Sequence, residues 1–429
     1  MNIIQLYDYF LSTAGVFTDT RTPIKDGLYF ALSGPRFNAN SFALEALEKG
    51  AKFAVVDDPT LTHHHPKLLW VENTLQTLQE LAQYHRQQIK ATIIGLTGSN
   101  GKTTSKELMA SVLKTHYTVS ATEGNLNNHI GVPLTLLRIP DNAQIAIVEM
   151  GANHQGEIEA LCEIAQPDIG YITNFGKAHM EGFGGVEGII KGKSELYRYL
   201  ENSRRIALCN SDDPIQMERT QNIRRVLFGT SKTAEYTMQY NSSNQGLWVT
   251  TNLGKVESQL YGDYNLPNIA AAVALGLHFN VPFTKIQAGI ASYQSTNNRS
   301  QTLTFGHTKV ILDAYNANPT SMALALKTFF DQNTTKRVLI LGDMLELGQY
   351  SADEHQAIVG ILEKQKFDKA YLVGKAFSQT TSSMTAIERF TTTEDLILTL
   401  KKEDVVNKNL LLKGSRGLAL EKILEIFKE

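Results

Sequence analysis

The stretch "ATIIGLTGSNGKTTSKELMASVLKTH" (91–116) leaves this chain the fewest choices of fold. A short apolar run reads as a buried strand. A Gly-rich turn then leads straight into a segment with apolar residues at helical spacing. Strand, turn and helix N-terminus in this order aim backbone N–H groups and the helix dipole at one point, which suits a phosphate. The common phosphate loop is G-x-x-x-x-G-K-[S/T], and here Leu96 stands where its first glycine belongs. The nearest glycine is Gly98. A compact cradle of Gly98, Ser99, Asn100, Gly101, Lys102, Thr103 and Thr104 is expected, with Lys102 reaching the β/γ-phosphates and Thr103 placing a hydroxyl on Mg²⁺.

The texture of this segment recurs. "QIAIVEMG" (144–151) and "DIGYITNFG" (168–176) are further apolar strands followed by helical sequence. Alternating strands and helices predict a mainly parallel sheet with ligands at the strands' carboxyl ends. Glu149 closes the first of these strands, and His179 follows the second in the loop "FGKAHMEGFGG". With Thr103 they give three candidate metal ligands at one sheet edge. "KGKSELY" (191–197) adds two lysines on the next helix; either a solvated basic face or one lysine buried beside the metals fits the pattern.

Around this core the chain divides. At 429 residues it exceeds one core, so two or three domains are the prior. Its texture divides it into three α/β units: a small N-terminal unit (1–89), a central parallel-sheet unit with the P-loop (90–298) and a C-terminal Rossmann-like unit (299–429). In the first domain "GLYFAL" (27–32) and "AKFAVVDD" (51–58) read as strands, with "SFALEALEKG" (41–50) and 74–89 as helices. "HHHP" (63–66) reads as a polar turn, since three adjacent histidines cannot all face one ion. Residues from about 234 to 262 alternate apolar and polar, the mark of an antiparallel insertion, and 265–279 is a helix rich in small residues. After a polar link (293–301), "KVILDAY", "RVLILGDM", "KAYLVG" and "NLLLKG" are strands of a second doubly wound unit.

A formal net charge of -2 disfavours nucleic acid as the main partner, because phosphate backbones call for a basic surface. Two cysteines, Cys162 and Cys209, lack metal-type spacing and read as reduced buried thiols. The N-terminus lacks a signal-peptide pattern and no apolar stretch has membrane-spanning length, so a cytoplasmic protein is expected.

Together these residues resemble the Mur ligase family, ATP-dependent amide-bond ligases of peptidoglycan precursor synthesis. "TGSNGKTT" matches the family's loop throughout, including its glycine spacing. The resemblance extends over nearly the whole chain through "GNLNNHIGVPLTLL" (124–137), "EMGANHQGEIEAL" (149–161), "TNFGKAHMEGFG" (173–184), "DAYNANPTSM" (313–322), "LGDMLELG" (341–348) and "LLKGSRG" (411–417). It implies a monomeric enzyme that uses ATP and two Mg²⁺ to join D-Ala-D-Ala to UDP-N-acetylmuramoyl-tripeptide through an acyl phosphate. It implies Mg²⁺ ligation by Thr103, Glu149 and His179, with Lys193 as the family lysine that becomes carbamylated; Lys102, His179 and Lys193 are then the catalytic set. Asn268 matches an adenine-contacting asparagine, Arg299 an arginine on the ATP phosphates and Asp313 an acid near the ribose. Thr20 and Arg21 match UDP contacts. Asn125, Asn127, Asn128 and Asn316 are implied on the substrate side. Tyr264 stands where the family has a histidine, and "NAN" (38–40) where members often have "DGH".

Competing readings remain at this level. One is another Mur-type or folylpolyglutamate-type carboxylate–amine ligase. A P-loop regulatory ATPase or GTPase is disfavoured by the lack of "NKxD". A non-catalytic nucleotide-binding module is disfavoured by the candidate metal set.

Overall fold

The structure is a computed structural model that describes residues 1–35, 37–243, 246–332 and 334–427. Four sheets organise these residues. The first is four-stranded and wholly parallel, in the order Val16–Phe17, Leu28–Phe30, Phe53–Val56 and Leu68–Trp70. Its two middle strands are the predicted "GLYFAL" and "AKFAVVDD" segments, trimmed at both ends. Between them a 3-10 turn (Ala39–Phe42) precedes the helix Ala43–Glu48, and Gly50 in a positive-φ conformation turns the chain back. In the histidine run, the backbone N–H of Lys67 donates to His65 Nδ1, a local turn contact. The helix Thr74–Gln88 carries the chain away, with Leu78, Leu81 and Ala82 fully buried against the next unit.

The second sheet has seven parallel strands. Its central strand, Thr92–Thr97, lies between Ile145–Glu149 and Ile169–Ile172. From it the chain moves to one side for Val119–Ala121 and Ile145–Glu149, then crosses to the other for all later strands. The carboxyl end of Thr92–Thr97 is therefore the topological switch point, where open α/β sheets place their ligands. Continuously apolar strands such as "TIIGLT" require cover on both faces. Part of it comes from Leu266–His278, in which Ile269 to Ala274 are all 0% exposed. Its small residues let it lie close to the phosphate-loop helix Lys102–Leu113: a Cβ on Gly276 would come 2.7 Å from Val112 Cγ1. Phe283–Ser292 packs on the same helix through Gly289.

Most of the predicted antiparallel segment forms a separate sheet of Gln239–Ser243, Gly246–Thr251 and Gly254–Ser258, but its start, Tyr236–Thr237, instead pairs parallel at the edge of the seven-stranded sheet; residues 244–245 lie outside the described residues. The last sheet has six strands in the order Gln301–Phe305, Thr308–Asp313, Asn409–Lys413, Arg337–Gly342, Lys369–Val373 and Ile387–Phe390. All neighbours are parallel except the first pair. The polar link therefore ends one residue earlier than expected, because Gln301 already opens an edge strand. That strand exposes alternate residues, so its polar face masks it in the sequence. Cys162 and Cys209 are buried and free. Among the described residues no helix is long and apolar enough to cross a membrane.

Candidate active site

The phosphate loop is shaped by two glycines that admit no side chain. Gly98 has φ +140, and a Cβ there would fall 1.9 Å from Thr173 Oγ1. Gly101 has φ +78, and a Cβ there would fall 2.7 Å from Asn268 Oδ1. Leu96, by contrast, is buried in the sheet between Glu149 and Tyr171, so the position of the missing glycine belongs to the strand. The next strand's end ties the loop down. Asn100 N donates to Asn174 Oδ1 at 3.0 Å, and Thr173 Oγ1 donates to Asn100 O at 2.6 Å. Ser99 Oγ and Asn100 Nδ2 are buried without a hydrogen-bond partner, and both residues line the cavity described below. Lys102 Nζ curls onto the carbonyl of Gly98 at 2.7 Å. Burial pushes its pKa below the ordinary lysine value and Arg299 adds to the fall, while Glu149 opposes it.

Glu149 is 2% exposed and held from several sides. Its Oε1 accepts from Asn127 Nδ2 at 2.9 Å and from Thr103 Oγ1 at 3.3 Å. Lys106, one turn along the loop's helix, has Nζ 3.8 Å from Oε2 and donates to Thr122 O at 2.7 Å. Oε2 itself has no hydrogen-bond partner. A buried carboxylate oxygen with spare acceptor capacity beside a threonine hydroxyl fits Mg²⁺, which takes few protein oxygens and completes its shell with water and phosphate. Among the described residues no three His, Cys, Asp or Glu side chains converge as a ready-made cage.

His179 lines the same cavity in a left-handed backbone conformation, φ +55, at the start of the helix Met180–Phe183. Its Nδ1 pairs with Glu346 from the six-stranded sheet's side. Of the two lysines in "KGKSELY", Lys191 is exposed and Lys193 is 0% exposed. Lys193 lies behind the cavity wall, donates to Ala152 O at 3.2 Å and sits 5.0 Å over the Phe183 ring. Desolvation drives its pKa well below the usual lysine value, and nearby Lys102 adds to this.

Across the crevice Asn268 is 5% exposed, with Oδ1 accepting from Ser105 Oγ at 3.0 Å and Nδ2 donating to Asn265 Oδ1 at 2.9 Å. Tyr264 bonds Ser300 Oγ at 2.8 Å. The Arg299 guanidinium stacks 3.7 Å from the Tyr315 ring centroid. Asp313 accepts from Ser300 N at 3.1 Å and pairs with Lys413, which is 2% exposed. Asn316 also lines the cavity, as do Asn125, Asn127 and Asn128 on the opposite side.

One cavity of about 1190 Å³ therefore gathers the loop residues 99–104, Glu149, His179, Asn268, Arg299, Asp313 and Asn316 with the three asparagines. Thr20 and Arg21 lie outside its lining: Arg21 is exposed beside Asp19, and the Thr20 carbonyl is held by Lys49 Nζ at 3.1 Å. Sequence reasoning missed several partners. Asn318 donates through Nδ2 to Asn100 Oδ1 at 2.6 Å, and Lys177 N donates to Thr320 Oγ1 at 3.0 Å. Lys106 and Lys413 were also passed over. All but Lys106 and Lys177 lie in "DAYNANPTSM" or "LLKGSRG", so the motifs were visible while the contacts were not.

Residues 96–276 match the Mur ligase middle domain, and residues 298–416 match the Mur ligase glutamate ligase domain. The chain is 34% identical over 426 residues to the UDP-N-acetylmuramoyl-tripeptide–D-alanyl-D-alanine ligase of Bacillus subtilis (strain 168), covering 96% of this chain and 92% of that one. It is 33% identical to the enzyme of the same name from Escherichia coli (strain K12), covering 96% and 93%. Among solved structures, MurF from Acinetobacter baumannii superposes with a TM-score of 0.88 at 30% identity, over 100% of this chain and 99% of that one. MurF ligase from Thermotoga maritima in complex with ADP gives 0.83 at 26% identity, over 98% of each chain. With its phosphate loop, strand-edge carboxylate and three-part α/β architecture, this chain belongs to the Mur ligase family.

Proposed function

We propose that this Mur ligase joins D-Ala-D-Ala to UDP-N-acetylmuramoyl-tripeptide at the expense of ATP, acting in the cytoplasm as a monomer. The proposed division of labour is a UDP-binding unit (1–89), an ATP-binding unit (90–298) and a closing unit (299–429). One observation carries the reading: the phosphate loop, Glu149, Asn125, Asn127 and Asn128 share one cavity with Arg299, Asp313 and Asn316 of the C-terminal end. A ligase needs such a shared space, because nucleotide, acid and amine must meet there.

The tripeptide carboxylate attacks the γ-phosphorus of ATP. A carboxyl oxygen–phosphorus bond forms and the β–γ bridge breaks, releasing ADP. The dipeptide amine then attacks the acyl carbon, loses a proton and expels phosphate. Two anions approach in the first step, so the site must offset their repulsion. Gly98–Thr104 backbone N–H groups and Lys102 face the phosphates in this scheme, and Arg299 approaches from the other wall. Asn268 and Asp313 orient adenine and ribose. Thr103, Glu149 and His179 would hold Mg²⁺, which when bound would supply charge neutralisation at the transferring phosphoryl group. Lys193, whose burial lowers the pKa of its amine, forms an N–C bond to CO₂ and loses a proton, becoming a carbamate that would add an anionic ligand for a second ion. Thr20 and Arg21 take the UDP end, beyond the central cavity.

The experiment is ADP release measured with the muramoyl tripeptide while the amine is varied. D-Ala-D-Ala should give stoichiometric ADP, and glutamate or single amino acids should not. ADP formation that ignored the dipeptide would overturn the assignment.

A further inference from the structure

The segment following the strand Arg337–Gly342 has no part in the reaction as drawn, yet it reaches across to the metal side. His179 Nδ1 pairs with Glu346 Oε2. The backbone N–H of Glu181 points at the Glu346 carbonyl, 3.4 Å away. Gly348 lies so close that a Cβ on it would come 2.9 Å from Glu181 Cγ. Both members of the pair hold left-handed backbone, His179 at φ +55 and Glu346 at φ +62. Neither is glycine, so each carries a conformational cost that the surrounding contacts must offset.

The pair's value is not energetic. The Glu346 side chain is 54% exposed, and an ion pair so open to water contributes little to stability. Its value is orientation. Glu346 meets Nδ1 as a close ion pair outside hydrogen-bond alignment. A neutral imidazole has one N–H and one lone pair, and a carboxylate beside Nδ1 favours the tautomer with its proton there. Nε2 is then the free donor, pointing away from Glu346.

We infer that Glu346 is a positioning residue that presents His179 Nε2 to the cation site, so that a segment after the six-stranded sheet completes a ligand set rooted in the seven-stranded one. This rests on the reading of His179 as a Mg²⁺ ligand. Cation binding and docking of the 343–350 segment are then linked: each favours the other through one imidazole.

Mn²⁺ binding, followed by electron paramagnetic resonance on the full chain with a non-hydrolysable ATP analogue, tests this without turnover. Glu346→Asn tolerates positive φ but is too short to reach, so a loss reports the side chain rather than the turn. It should weaken Mn²⁺ binding by roughly tenfold or more, the usual effect of removing a carboxylate behind a metal-bound histidine. Glu346→Gln keeps an acceptor for Nδ1–H and should lose clearly less than Glu346→Asn. Adding Glu346→Asn to His179→Ala should cause no further loss. Normal binding by Glu346→Asn while His179→Ala is weakened would overturn the role of Glu346 alone. Equal losses in Glu346→Gln and Glu346→Asn would also overturn it, since charge rather than the hydrogen bond would then matter. Normal binding by His179→Ala would instead remove the ligand role on which the inference rests.

Discussion

Gly98 shows how little freedom a single position has at this site. Its φ of +140 and the 1.9 Å approach of Thr173 Oγ1 to a built Cβ act together. Gly98→Ala should therefore destabilise the protein by about 2 kcal/mol or more, read from urea unfolding, and abolish nucleotide binding. Adding Thr173→Ala should recover only part of the loss: it removes Oγ1 but leaves the Thr173 backbone N 2.9 Å from the built Cβ, leaves the backbone strain, and gives up the hydrogen bond to Asn100 O. Lys193 tests the chemistry at the same scale. Lys193→Ala should lower kcat by roughly 100-fold or more if the carbamate carries its charge to the second ion. Small carboxylic acids should restore part of the rate by filling the space with an anion. Lack of rescue alongside intact folding would remove the carbamate from the mechanism.

At the scale of elements, the helix Pro319–Asp331 depends on one residue for two purposes. Asn318 caps it, accepting from Ser321 N at 2.9 Å, and donates to Asn100 in the phosphate loop. Asn318→Ala should cost about 1 kcal/mol of stability through the lost cap and also raise KM for ATP. Asn318→Asp keeps the cap and loses the donor, so only KM should rise. Equal KM values for Asn318→Asp and the unaltered enzyme would assign Asn318 to the helix alone. This contact also marks the limit of what was legible beforehand. The apolar runs that became Thr92–Thr97, Ile145–Glu149 and Arg337–Gly342 announce themselves by burial on both faces. The loop residues, Glu149 and His179 follow from topology, because strand ends at one sheet edge must be neighbours. Asn318 meeting Asn100, 218 residues away, follows no local periodicity, nor does Lys106 meeting Glu149. The edge strand Gln301–Phe305 was hidden for the opposite reason: Thr302 and Thr304 face solvent, none of its residues is fully buried, and it reads as linker.

At the scale of the molecule, the segment 173–185 and the phosphate loop together form a surface on which the C-terminal end rests. Beyond Asn100–Asn318 and His179–Glu346, Lys177 Nζ pairs with Glu354 at 2.6 Å. The lysine side chain of this pair is 46% exposed, which limits the pair to about 1 kcal/mol, or roughly fivefold in any docking equilibrium. Lys177→Glu should accordingly raise KM for ATP by no more than about fivefold, and Lys177→Glu with Glu354→Lys should recover it. Small-angle scattering with and without an ATP analogue gives the independent readout: the more open population of Lys177→Glu should shrink on nucleotide addition. An unchanged scattering profile under all conditions would mean that the two ends do not move.

The double duty of Asn318 bears on how the enzyme would escape an inhibitor. A compound wedged between Asn100 and Asn318 would press on a residue that few replacements can substitute. Alanine at that position removes the cap of a thirteen-residue helix, and aspartate, which keeps the cap, surrenders the link to the phosphate loop. Resistance at this seam would then carry its own handicap, in folding for one replacement and in nucleotide use for the other.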